Sequence, residues 1–238
     1  MCGNVLIIGA SGDIGSAIAT RLGQENYQLI LHYNQNRGKI DEIRTKLNTE
    51  QILTEIQADL SRDSDIKTLL TELVFPVDHI VFASGNAYHG LLQETSETVM
   101  DDMISIHVKA PMIISKFLLP AMIKQKYGKI IFITSIWGDV GASNEVVYST
   151  VKGAQNSFVK ALAKEVGSSG ISVNGVSPGF IDTKMNQHLS SEEREMILAE
   201  IPFNRAGKTS EVADLISFLL NNESSYIQGE IIGLNGGW

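Results

Sequence analysis

The chain has 238 residues, 43% of them hydrophobic, and carries 19 basic against 27 acidic residues for a net charge of −8. That length and apolar share suit one large α/β domain with a full core, and the acidic balance argues against nucleic acid or an anionic membrane surface as a partner. The single cysteine, Cys2, excludes an intramolecular disulfide, reads as a small residue before the first strand and fits a reducing compartment.

In chain order, short apolar runs recur at Val5–Ile8, Tyr27–His32, Gln51–Ile56, His79–Phe82, Lys129–Thr134, Ile171–Val176 and Glu230–Leu234. Helical patterns lie between them: Ile14, Ala17, Ile18 and Leu22 mark the first, Ile66, Leu69, Leu70 and Leu73 a later one. Strands that alternate with helices and read as unbroken apolar runs predict an α/β fold, a doubly wound parallel sheet of about seven strands covered on both faces. No Pro/Gly/Ser-rich linker and no internal repeat divides the chain, so residues 1–238 are read as one domain. Met1-Cys2-Gly3-Asn4 lacks the basic start of a signal peptide, and no apolar run reaches the ~20 residues of a membrane span. The expectation is a cytoplasmic protein with no membrane partner.

Two predicted helices stand out. One runs from about Glu97 to Gln125 and contains Pro111; the other runs from about Glu145 to Ser168. In the second, Val151, Ala154, Phe158 and Leu162 form one apolar stripe and Val159, Ala163 and Val166 another. A helix apolar on two sides is buried on two sides, either within a large monomer or, the sharper reading, at a two-fold subunit interface that makes a homo-oligomer, a dimer at the least.

After the first strand comes Gly9-Ala10-Ser11-Gly12-Asp13-Ile14-Gly15, then the amphipathic helix. Strand, glycine turn and helix N-terminus together aim backbone N–H groups at a pyrophosphate. Asp13, next to the helical run, is expected to cap it. The second strand ends His32-Tyr33-Asn34-Gln35-Asn36-Arg37, with no carboxylate before Asp41. Arg37 and Lys39 are thus available for a ribose 2′-phosphate, which predicts NADP(H), with NAD(H) second. Farther on, Tyr148 and Lys152 stand four residues apart on one helical face, with Ser135 thirteen residues upstream of the tyrosine. A phenol titrates near ~10, and a neighbouring ammonium is expected to lower it for proton transfer.

These motifs, taken in order along the whole chain, resemble the short-chain dehydrogenase/reductase family, and among its branches the bacterial 3-oxoacyl-carrier-protein reductases. Ser135, Tyr148 and Lys152 match the family's catalytic Ser, Tyr and Lys. The resemblance implies a Rossmann-like fold and a tetramer. It implies cofactor contacts at Gly9, Ser11, Gly12, Asp13, Ile14 and Gly15, and at Tyr33, Asn34 and Arg37. Asp59 and Leu60 match the adenine-contacting pair. Phe82-Ala83-Ser84-Gly85 stands where the family has Asn-Asn-Ala-Gly, keeping its glycine and a small residue before it, and Ala83, Ser84 and Gly85 are further cofactor contacts by position. Pro178, Gly179, Ile181 and Thr183 belong to the segment beside the nicotinamide, and Tyr148 and Lys152 face the same group. Phe180–Arg205 takes the position of the substrate lid, with Met185, Leu189, Met196 and Ile201 as apolar contacts.

The activity so implied is NADP(H)-dependent reduction of a ketone, a 3-oxoacyl thioester among the candidates, to a secondary alcohol. Tyr148 would give the proton, Ser135 would bind the carbonyl oxygen, and Lys152 would lower the Tyr148 pKa and hold the nicotinamide ribose. An acyl carrier protein is a candidate partner, and Lys124, Lys126 and Lys129 supply part of a basic patch for it. The family's catalytic Asn falls on His107. Its role there runs partly through a carbonyl that holds a water, and Pro111 has no N–H to claim that carbonyl. The His107 imidazole is a second candidate for proton transfer. His32, His79, His89 and His188 show no metal-ligand spacing, so no metal is expected and they read as packed or solvated. Asp13, the altered Phe82–Gly85 segment and His107 motivate the alternative, a non-catalytic NADP-binding sensor or scaffold.

Overall fold

The computed structural model describes residues 3–187 and 189–238. Cys2 and His188, and the readings made of them above, lie outside the described residues. β1 (Asn4–Ile8), β2 (Gln28–Tyr33), β3 (Ile52–Gln57), β4 (His79–Phe82), β5 (Gly128–Ile133), β6 (Ile171–Pro178) and β7 (Ile231–Leu234) pair in parallel in the order β3-β2-β1-β4-β5-β6-β7. The helices are α1 (Asp13–Gln24), α2 (Arg37–Lys46), α3 (Asp63–Glu72), α4 (Glu97–Ile104), α5 (Ala110–Gln125), α6 (Trp137–Val140), α7 (Val146–Val166), α8 (Ser191–Glu200) and α9 (Thr209–Leu220).

The sheet is covered on both faces, which is why its strands read as unbroken apolar runs. Val5 and Ile7 point to one side, with Leu29, Leu31, Val81 and Ile131, and meet Ile18 and Leu22 of α1 and Ile216 and Leu220 of α9. Leu6 and Ile8 point to the other, with Ile80, Phe82, Ile130 and Phe132, and meet α3, α5 and α7 through Leu69, Ile114 and Val159. The Phe82 and Phe132 rings stack at 4.5 Å between centroids. Ile8 pairs with both His32 and Phe82, and Phe82 with Phe132, so β1, β2, β4 and β5 end at one level. The chain winds outward from β1 to β3 and returns to β4. Loops therefore diverge after β1 and β4, the switch point where such sheets hold ligands.

The helix expected over Glu97–Gln125 forms, but not as a regular α-helix. Ser105–Lys109 makes a π-turn, with the Ala110 N–H bonded to the Ser105 carbonyl. Pro111 forces this: it has no N–H for the carbonyl four residues back, and the wider turn accommodates its ring. By length and composition this helix would also suffice to cross a membrane, contrary to the expectation that no apolar run reaches that length. Its buried Ala110, Ile114, Leu118 and Met122 instead pack into the core beside Phe82 and Phe132. On its outer side Ile104, Met112, Phe117 and Ile123 are exposed.

Candidate active site

The first element of the site is the turn after β1. Gly9 sits at φ +88°, and a Cβ there would lie 2.5 Å from Ser84 backbone atoms. Only glycine lets the β1 and β4 loops approach this closely. Gly12 is the N-cap of α1, and no side chain caps that helix. Its first N–H groups therefore face the crevice without a side-chain acceptor, the arrangement that receives an anion. Asp13 does not cap, in correction of the expectation. It is the first helical residue, and its Oδ2 accepts from the Lys184 N–H at 2.6 Å. The carboxylate thus ties the start of α1 to the backbone at Lys184.

Two cavities share Ala83, Ser84 and Gly85 and form one crevice. The first end is lined by Gly9, Ser11, Gly12, His32, Asn34, Gln35, Asn36, Asp59 and Leu60. The second holds Ile14, His107, Ser135, Tyr148, Lys152, Pro178, Gly179, Ile181 and Thr183. The predicted residues that do not line it are Asp13, Gly15, Tyr33 and Arg37. Gly15 is packed within α1, and Tyr33 is 5% exposed. Arg37 lies 2.7 Å from Glu55 and donates to the Tyr33 hydroxyl at 3.0 Å, while Arg44 approaches the same Glu55 at 3.2 Å. The guanidinium assigned to a ribose phosphate is held by a carboxylate on β3, a strand residue too distant in sequence to be foreseen.

Sequence reasoning also missed His32, read as simply packed. The Gly9 N–H donates to its Nδ1 at 3.1 Å, and its Nε2 lies 3.0 Å from the Ala58 carbonyl. Burial pushes its pKa down to about 4, so the neutral ring clamps the glycine turn to β2 and the loop after β3. Its place beside the last residue of β2 was the available signal.

At the far end, Ser135 follows β5, and its Oγ accepts from the Trp137 N–H at 3.2 Å. Tyr148 and Lys152 share one face of α7. The Lys152 Nζ is 5.6 Å from the centre of the Tyr148 ring and donates to the Ile133 carbonyl at 2.9 Å and to Gln155 Oε1 at 3.1 Å. Burial pulls its pKa down to about 7. The Tyr148 pKa is pushed up to about 12: burial raises it, hydrogen bonding with Ser135 draws it down, and Glu145 raises it again. This corrects the expectation that Lys152 would lower it. The ammonium points toward Ile133 and Gln155, and burial is the largest influence on the phenol.

His107 is 1% exposed. Its Nε2 lies 3.1 Å from the Asn86 carbonyl, so that nitrogen carries the proton, and its ring meets Tyr148 edge-on at 6.0 Å. Gly85 is required here, since a Cβ would lie 2.5 Å from the imidazole. The His107 carbonyl is free of the helix, as expected, but not free: the Gln155 Nε2 donates to it at 2.8 Å. A side chain thus reaches the carbonyl on which a water was expected. Burial, then Lys152, holds the imidazole well below its ordinary pKa, so it is neutral and offers no ready proton.

The crevice mouth is largely apolar, with His89, Glu145 and Asn186 as its polar members. Trp137 and Trp238 meet edge-on at 5.1 Å, and Phe180, Met185, Leu189 and Ile197 line the wall. Of the lid contacts expected, Met185 and Leu189 line the crevice, Met196 is 69% exposed, and Ile201 is 1% exposed, packed under the C-terminal turn. Within segment 180–205, Arg194 pairs with Asp182 at 3.1 Å and covers Phe180. Lys129 is no part of a basic patch, in a further correction. It is 6% exposed, and its Nζ donates to the carbonyls of Leu219 and Asn221 and to Ser224 Oγ, which closes the end of α9. Among the described residues, no three His, Cys, Asp or Glu side chains converge to hold a metal.

A parallel sheet with a crevice at its switch point, entered by a glycine turn and ending at Ser135, Tyr148 and Lys152, defines a doubly wound α/β protein of the Rossmann type. The chain belongs to the short-chain dehydrogenase/reductase family and is an oxidoreductase of that family: a family model described as "Enoyl-(Acyl carrier protein) reductase" matches residues 9–238. Among its relatives is the "Uncharacterized oxidoreductase YmfI" of Bacillus subtilis (strain 168), 45% identical over 98% of this chain and 97% of the relative. The "3-oxoacyl-[acyl-carrier-protein] reductase FabG" of Escherichia coli (strain K12) is 33% identical over 98% of this chain and 95% of its own. The protein of the same name from Staphylococcus epidermidis (strain ATCC 12228 / FDA PCI 1200) is 31% identical over 98% of each.

Proposed function

We propose that this chain reduces a ketone to a secondary alcohol with NADP(H), with Tyr148 as the proton donor. The observation that carries this reading is the convergence of Ser135, Tyr148 and Lys152 on the end of the crevice that leads back to the uncapped start of α1. The residues fit a nicotinamide dinucleotide. At Gly12 a Cβ would meet only the Gly9 carbonyl, at 3.5 Å, so the turn leaves room for a phosphate against the helix N-terminus. Gly9, Ser11 and Gly12 would hold the pyrophosphate, Asp59 and Leu60 the adenine, and Pro178, Gly179, Ile181 and Thr183 the nicotinamide. When bound, the reduced nicotinamide supplies the hydride.

The chain's own residues do the rest. Ser135 Oγ orients the substrate carbonyl. Tyr148, with its high pKa, stays protonated at neutral pH and donates to the alkoxide that forms, a far stronger base than a phenolate. Lys152 beside it supplies positive charge and a replacement proton. The neutral Asn34, Gln35 and Asn36 after β2 and the cationic Arg37 support NADP(H) over NAD(H), since the carboxylate that lines that end, Asp59, follows β3 and accepts from Ser61. The aromatic and aliphatic mouth suits an apolar ketone. A 3-oxoacyl thioester is the second candidate, on the named activity of the relatives. The basic patch for a carrier protein now reduces to Lys124 and Lys126, at the end of the strands opposite the crevice.

The exposed Ile104, Met112, Phe117 and Ile123 support a homo-oligomer through α4, α5 and α7. A monomer by light scattering at micromolar concentration would remove that part of the reading. The catalytic part is tested by NADPH oxidation against simple ketones and 3-oxoacyl thioesters side by side. Turnover of either class at a rate abolished by Tyr148→Phe is expected; no turnover of any ketone would overturn it.

A further inference from the structure

Behind Lys152 lies a side chain the reaction above does not use. Gln155 is one turn farther along α7 and 3% exposed. Its Oε1 accepts from the Lys152 Nζ at 3.1 Å, and its Nε2 donates to the His107 carbonyl at 2.8 Å. The amide joins α7 to the π-turn Ser105–Lys109, and Lys152 extends the link to the end of β5, whose Ile133 carbonyl takes a second Lys152 bond at 2.9 Å. The match is chemical as well as geometric. An ammonium has only donors and a carbonyl only lone pairs, and a primary amide carries one acceptor and one donor on the same group. A hydrocarbon side chain of the same size would leave both buried groups short of a partner.

We propose that Gln155 is a positioning residue for Lys152, holding the ammonium against β5 and closing the rear of the site to a proton-carrying water. This rests on the reductase reading of Tyr148 and Lys152. In that reading Tyr148 gives up its O–H proton to the alkoxide and becomes a phenolate, and Lys152 restores it and becomes an amine. An amide passes no proton onward without first forming its imidic acid, so the hydrogen-bonded chain behind Lys152 stops at Gln155. Lys152 is therefore recharged from the crevice, which it lines. The groups that face Lys152 leave Gln155 with little competition. Tyr148 approaches from α7, with Glu145 beyond it; neutral His107 approaches from the π-turn; β5 offers only a carbonyl. Among the described residues no carboxylate pairs with Lys152.

The test follows Lys152 itself, in the protein without dinucleotide, by NMR titration of 13Cε-labelled lysine in wild type, Gln155→Leu and Gln155→Glu. Loss of the acceptor should lower the Lys152 pKa by about one pH unit, and a carboxylate in its place should raise it by about as much. The alkaline limb of kcat/KM should move the same way in each variant. A purely structural glutamine would change the melting temperature and move neither. Gln155→Met keeps the volume and serves if the leucine variant does not fold. A folded Gln155→Leu or Gln155→Met with wild-type Lys152 titration and pH profile would overturn the proposal. If the wild type reduces no ketone but the titration shifts as stated, the reductase reading fails and the positioning of Lys152 stands.

Discussion

At the glycine-turn end of the crevice the groups on offer are main-chain N–H donors at Gly12 and beyond, with small polar side chains at Asn34–Asn36. At the Tyr148 end they are side chains, two of them ionisable: Tyr148 is half-buried, and Ser135 and Lys152 are 7% and 4% exposed. The first end depends on shape: what matters is where a Cβ is missing. The second depends on charge state, and there burial overrides neighbouring charges. It pushes Tyr148 up to about 12 and Lys152 down to about 7, although the two are close enough to favour each other's ions. A backbone-built site tolerates changes of pH and loses function through steric substitution. A site of buried ionisable groups does the reverse.

Four measurements would break or sharpen that contrast. The largest effect is expected for Tyr148→Phe, which removes one hydroxyl and leaves the fold and the backbone cradle intact. The kcat should fall by at least ~10², the lower end for a positioned acid, while dinucleotide binding, followed by fluorescence, stays near wild type. Retention of more than half the wild-type rate would show that Tyr148 is not the acid.

The second is a pH series. Lys152 is charged in the folded protein only below about 7, against an ordinary value of 10.5. The kcat/KM for reduction should therefore fall as pH rises through 7, by up to about tenfold per pH unit. Stability should move the other way. Between about 7 and 10.5 the unfolded chain holds a proton on this lysine that the native protein lacks, so this contribution to unfolding free energy rises with pH across that window. Chemical denaturation of wild type and Lys152→Met at pH 7 and pH 9 checks the sign. The variant's stability relative to wild type should be lower at pH 9 than at pH 7. A constant difference would mean that burial does not control this lysine.

The third concerns the backbone-built end. NADPH should bind at least tenfold tighter than NADH, a difference of about 1.4 kcal/mol. Arg37→Ala should shrink that ratio by weakening NADPH alone. Glu55→Gln should enlarge it, because Arg37 and Arg44 both lean on Glu55 and its charge offsets theirs. Isothermal titration with both dinucleotides decides it; equal affinities in wild type would remove Arg37 from the cofactor reading.

The smallest effect is expected at the join between the two ends. Pro111→Ala introduces an N–H that competes with Gln155 for the His107 carbonyl. The π-turn already absorbs the proline, so stability should change by less than the ~3 kcal/mol a mid-helix proline costs, and kcat should fall only a few-fold. His107→Asn should preserve turnover, since the carbonyl remains. Abolished turnover in His107→Asn with none lost in Pro111→Ala would make the imidazole the working group.

The strands, the glycine turn and the Tyr148–Lys152 pair were legible in the sequence because each is a local pattern. Apolar runs, a strand–turn–helix junction and a spacing of four on one helix all act within about ten residues. Pro111 likewise announced an opened carbonyl, because a missing N–H is a property of one residue. Tertiary structure alone decided what those groups face. Gln155 reaches the His107 carbonyl across 48 positions of sequence, and Asp13 reaches Lys184 across 171. Lys129, read as a surface cation, closes α9 across some 90 residues. Desolvation follows the same logic: it sums over every element packed around a group, so the direction in which Tyr148 and Lys152 titrate is a property of the assembled core. Residue type and spacing determined which chemistry this chain carries, and packing determined which protons it holds.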